Sequence, residues 1–94
     1  MGLKMSFQAM AWAIKQKAPT KSKFVLLVLA NYADERGVAW PSLATLGQDT
    51  GIKRSTLIES LKTLVELGLI DKVKRYKGNL KVSNIYRLKV PDSP

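Results

Sequence analysis

LATLGQDTGIKRSTLIESLKTL, residues 43–64, reads as two helices joined by a tight turn. Pro41 and Ser42 open the first helix, with Ser42 as its expected N-cap, and Leu43, Leu46 and Gly47 face inward. Asp49, Thr50 and Gly51 form the turn, where Gly51 supplies a positive φ that other residues resist. Ile52 can then plug the core beneath the bend. The second helix is expected over residues 53–67, since Leu57, Leu61, Leu64 and Val65 recur at spacings of four, three and one. Gly68 closes it.

Working outward toward the N-terminus, residues 38–41 are too short for a helix and read as extended. Residues 21–35 read as a long helix with Thr20 as N-cap and Gly37 at its end. Phe24, Leu27, Val28, Asn31 and Tyr32 fall on one face, and Val25, Leu26 and Leu29 widen it. A helix apolar over most of its circumference belongs at the centre of a core. Ala18-Pro19 breaks the chain before it. Residues 6–16 read as a further short helix, capped by Ser6, with Phe7, Met10, Ala11 and Ile14 as its apolar stripe. Trp12 lies off that stripe unless the stripe is wide. Trp12 and Trp40 are expected as core or semi-core anchors.

Toward the C-terminus, residues 71–76 and 84–90 alternate as strands, with 77–81 as the hairpin tip. Ile85, Tyr86, Leu88 and Val90 carry the apolar side chains of the second strand. The order is α-α-(β)-α-turn-α-β-β: mainly α with a β-hairpin. Residues 1–90 are expected to form one domain, with 91–94 as tail or linker.

Composition limits the chemistry. The 94 residues contain neither cysteine nor histidine. Disulfide frameworks, thiolate zinc sites and cysteine nucleophiles are excluded, and the commonest general base and metal ligand are missing. With seven scattered acids and no visible acid–base pair, the expectation is no enzyme, no catalytic residue, no metal and no cofactor. The longest apolar run, residues 24–30, has seven residues, against about 20 for a membrane span. A soluble protein of the cytoplasm is therefore expected, without a membrane partner. The net charge of +9 calls for a polyanion. Residues 1–52 contribute +3 and residues 53–89 contribute +7, with Asp92 supplying −1. The alternative is a generic solubilising surface, but a basic footprint is what phosphate neutralisation requires.

Two short helices around a glycine turn, followed by a basic hairpin, make a winged helix-turn-helix. In that arrangement the first helix braces the second, which presents its N-terminal turn and outer face to the major groove of double-stranded DNA. On the second helix Lys53, Arg54, Ser55, Thr56, Ile58, Glu59, Lys62 and Thr63 are free of packing duty. Arg54 is the best base reader, because a guanidinium pairs with guanine O6 and N7. Ser55 can bond a base or a phosphate, and Thr56 either contacts DNA or instead caps the helix or supports the turn. Ile58 either touches a thymine methyl or packs on a neighbouring element. Glu59 either accepts from cytosine N4 or, the favoured reading, pairs with Lys62. In the wing, Lys74, Arg75, Lys77, Asn79, Lys81, Ser83 and Asn84 are candidates for backbone or minor-groove contact. Tyr76 and Tyr86 read as cross-strand packing rather than base stacking. Ser42, at a helix N-terminus, is a further candidate for DNA phosphate. Double-stranded RNA binding and a protein–protein adaptor role are the competing classes.

Several segments resemble the winged helix-turn-helix domains of phage and plasmid replication initiators and related phage regulators. They are KFVLLVLANYAD (23–34), GVAWPS (37–42), LATL (43–46), TGIKRSTL (50–57), LVELGLI (64–70) and SNIYRL (83–88). Lys53 stands where that family often has serine, and Gly47 where alanine is common. The resemblance implies origin binding, with replisome proteins recruited through a further region outside residues 1–94, which would then be one domain of a longer protein. It equally allows a small stand-alone transcriptional regulator. The host compartment so implied is the bacterial cytoplasm. The apolar N-terminal helix offers a surface for a homodimer, although core packing is its expected use.

Overall fold

The computed structural model describes the backbone of residues 3–78 and 80–91, and the side chains of residues 8–74, 78 and 84–91. Four helices and a small antiparallel sheet follow in the order α1 (Leu3–Ile14), α2 (Thr20–Tyr32), β1 (Val38–Ala39), α3 (Leu43–Thr50), α4 (Arg54–Glu66), β2 (Ile70–Lys77) and β3 (Leu80–Leu88). This is the expected winged helix-turn-helix architecture. Among the described residues no helix is long and apolar enough to cross a membrane.

α2 is the centre of the core and packs on α1, α3, α4 and β1. Its buried face differs from the expected one. Ser22, Val25, Leu26, Leu29 and Ala30 are buried, whereas Phe24 and Tyr32 are exposed. With seven consecutive apolar residues the periodic signal is flat, so small residues decide which side lets neighbours approach. The same rule corrects α1. Ala9 and Ala13 are its buried residues, Met10 and Trp12 pack partly against the core, and Ala11 and Ile14 are exposed. α1 also starts before Ser6, which lies inside the helix rather than capping it. α4 buries Leu57, Ser60, Leu61 and Leu64, and Val65 turns outward. Each fully buried leucine contributes about 1.5–3 kcal/mol relative to exposure.

α2 begins at Thr20, one residue earlier than expected, with Pro19 as N-cap. It also ends three residues earlier, because Asp34 nucleates a turn of its own. Asp34 Oδ1 accepts from the backbone N–H of Arg36 (2.8 Å) and of Val38 (3.0 Å). The Gly37 N–H donates to the Asp34 carbonyl at 2.9 Å. Partial burial pushes the Asp34 carboxyl up, but the two N–H donors and the Arg36 guanidinium outweigh it and hold the group below its ordinary value. Gly37 therefore does not cap α2. It sits at φ +76°, with its Cα face against the Leu88 carbonyl, which a Cβ would approach to 3.3 Å. The Leu88 N–H donates back to Gly37 O at 2.8 Å, fastening the loop to β3.

The sheet order is β1-β3-β2, all antiparallel. Val38 and Ala39 pair with Arg87 and Tyr86. Ile70 pairs with Leu88, and the register holds to Lys74 opposite Asn84. Beyond that point Tyr76 pairs with Lys81 and Lys77 with Leu80, so β3 carries one extra residue there. The hairpin is longer and its tip tighter than expected: Lys77 and Lys81 lie in the strands, not in the turn. Cross-strand pairing, rather than local composition, extends the ladder. At the other end β3 stops at Leu88, so Lys89 and Val90 lie outside it.

Candidate nucleic-acid interface

The brace comes first. Ser42 caps α3 as expected: its Oγ accepts from the Thr45 N–H and donates to Thr45 Oγ1, each at 3.0 Å. That donation uses the hydroxyl's single hydrogen, leaving none for a phosphate. Ser42→Ala is therefore expected to cost about 1 kcal/mol of stability. DNA affinity well below the melting temperature should stay unchanged. Thermal melts and a binding titration check both, and a lost affinity with intact stability would make Ser42 a DNA contact after all.

The turn closes on Gly51, at φ +73°, whose N–H donates to Gly47 O at 2.8 Å. Thr50 Oγ1 donates to the Leu46 carbonyl (2.7 Å) and accepts from the Ile52 N–H (3.1 Å), which turns partly buried Ile52 onto the core. A Cβ on Gly47 would lie 3.5 Å from Ile52 O and from Leu57 Cδ1. That is ordinary contact, so alanine would fit. A link absent from the sequence reading joins α2 to α3: the Tyr32 hydroxyl donates to Asp49 Oδ2 at 2.5 Å. This hydrogen bond, more than burial, raises the Tyr32 pKa.

α4 starts without a side-chain cap. Lys53 occupies the N-cap position with φ −70° and ψ 158°, and its side chain makes no capping hydrogen bond. The first helical bond is Leu57 N–H to Lys53 O, at 2.9 Å. The N–H groups of Arg54, Ser55 and Thr56 precede it and point out of the helix end, where the dipole favours an anion. Lys53, Arg54 and Ser55 are exposed beside them. Ile58, Glu59 and Lys62 are exposed too, and with Arg54 and Ser55 they follow the helical repeat along one face. Thr56 and Thr63 are half-buried on the flank. The favoured Glu59–Lys62 pairing is not formed. Among the described residues the ion pairs are Arg36–Asp34 (3.1 Å) and Lys89–Asp71 (3.4 Å). An exposed pair gains too little to fix two long side chains.

In the wing, Lys74 is exposed on β2, opposite Asn84. Asn84 is half-buried and turns toward the interior, and its Oδ1 is buried without a hydrogen-bond partner. Burial pushes the Tyr86 pKa up. The side chains of Arg75, Lys77, Lys81 and Ser83, and the whole of Asn79, lie outside the described residues.

The structure thus brings Lys53, Arg54, Ser55, Ile58, Glu59 and Lys62 onto one exposed surface of α4. Lys74 stands apart on β2. A family model described as a helix-turn-helix domain matches residues 19–70, from the N-cap of α2 to the first residue of β2. No curated protein and no solved structure matches the chain.

Proposed function

We propose, from the premise that the chain belongs to the helix-turn-helix domain family, that it reads specific sequences in double-stranded DNA. α4 enters the major groove, and the basic hairpin lies on phosphate or in the adjacent minor groove. The observation that carries this is the uncapped start of α4, where unpaired N–H groups and the exposed side chains of Lys53, Arg54 and Ser55 project together. An anion completes that helix end, and Arg54 has room to reach a base edge. The segments that resemble those of phage and plasmid replication initiators support origin binding as its biological role.

Selection from a random duplex library tests the reading. One recurrent motif is expected, and half-site symmetry in it would report a dimer. Contacts from Lys53, Lys62, Lys72 and Lys74 to phosphate would give log K a slope near −4 against log salt, at about −0.9 per contact. An unenriched pool with a shallow slope would return the chain to the adaptor class. Preference for A-form duplexes would point to RNA.

A further inference from the structure

Ile58 and Val65 on α4, together with Val73 on β2, line one open groove of about 560 Å³ between the helix and the hairpin. The three side chains are 47%, 39% and 47% exposed. Singly each would be unremarkable, but here they are gathered from two elements into a single concavity. Lys62, Lys72 and Arg87 line the same groove. Its acid, Asp71, is engaged by Lys89 at 3.4 Å, so among the described residues these three cations have no acidic partner.

Three occupants can be weighed. Duplex DNA matches the cations but sets phosphate against aliphatic carbon. A thymine methyl could reach Ile58, yet Val65 lies two helical turns further on, about 10 Å along the axis. A second copy would bring the same cations against these, since the chain carries +9. The remaining complement is a peptide with apolar anchors flanked by carboxylates. We infer that the α4–β2 groove docks an acidic amphipathic segment of a partner protein. Ile58 and Lys62 belong both to this groove and to the DNA-reading face of α4, so peptide and duplex exclude each other. That exclusion rests on the proposed DNA function; the docking itself does not.

The probe is a short labelled peptide with leucines at i, i+3, i+4 and i+7 and glutamates between them. It should bind the whole chain in a fluorescence-anisotropy titration without DNA. The double variant Val65→Ser, Val73→Ser should weaken it about ten-fold or more while leaving duplex affinity within about two-fold. A lysine-for-glutamate version of the peptide should not bind. Amide shifts on the unsubstituted chain should centre on residues 58–65, 71–73 and 87. Equal binding by the variant or by the lysine peptide, shifts centred elsewhere, or no binding at millimolar peptide would overturn the proposal. Each of these is read without DNA, so a failure of duplex binding remains a separate result. Added peptide should then displace bound duplex, and simultaneous binding would refute the shared face.

Discussion

Leu57→Ala should be the most damaging single truncation near the interface, lowering stability by about 2–5 kcal/mol. Leu57 is 1% exposed and lies on the first turns of α4. Its Cδ1 packs beside Gly47 on α3, 3.5 Å from where a Cβ on that glycine would lie. Removing the isobutyl group loses its burial and leaves a cavity that a helix pair fixed by the Gly51 turn cannot readily close. A domain of this size is stable by only about 5–15 kcal/mol, so a loss of this size removes a large share of the total. The melting temperature should fall by roughly 8–40 °C, at about 4–8 °C per kcal/mol. Urea titration should show a lower midpoint at unchanged m. Leu67→Ala is the control, because Leu67 is exposed and its truncation should stay within about 0.5 kcal/mol. A Leu57→Ala loss below about 1 kcal/mol would mean that the brace does not depend on this contact.

Leu57 also shows which parts of the fold the sequence makes legible. The helix–turn–helix is written locally: a capping serine, a glycine at positive φ, and leucines at 57, 61 and 64 that all prove buried. Lys53 in place of a capping serine is equally local, and in the structure its side chain makes no capping hydrogen bond. Faces are harder wherever the pattern saturates. In α2 seven consecutive apolar residues remove the contrast on which periodicity depends, and burial of Ser22 and Ala30 in place of Phe24 follows from helix approach distance. Alanine is a weak apolar signal for the same reason, so Ala9 and Ala13 lost to Ile14 in the reading of α1. The Asp34 turn was available in principle, since Asp at the first and Gly at the fourth position favour a type I turn. The same glycine also fits a helix stop, and local sequence does not separate the two. The bulge in β3, the Tyr32–Asp49 bond and the groove containing Val65 and Val73 join residues distant in sequence or depend on strand register. No local pattern encodes them.

Arg54→Ala should then remove discrimination at one base pair, at a cost of about 1–3 kcal/mol, or roughly 5- to 150-fold in affinity for the selected site. The fold should not register the change. Arg54 is exposed at the first position of α4 and has no ion pair among the described residues, so stability should stay within about 0.5 kcal/mol. Arg54→Lys separates charge from geometry. A lysine keeps the phosphate attraction and the salt slope but lacks the planar fork that spans guanine O6 and N7. If Arg54 reads a base, the lysine variant should retain non-specific affinity while losing preference at the same position as the alanine variant. Lys53→Ala is the counterpart. At the uncapped N-cap its ammonium serves phosphate, so its loss should weaken every duplex alike and reduce the salt slope by about one. The pair is measured by titrating matched and single-mismatch duplexes over a salt series. Should Arg54→Ala weaken all sequences equally, Arg54 is a clamp like Lys53, and readout passes to Ser55, Ile58 and Glu59 on the same exposed face. The helix end would still be the anion site, because its unpaired N–H groups belong to the backbone and survive every one of these substitutions.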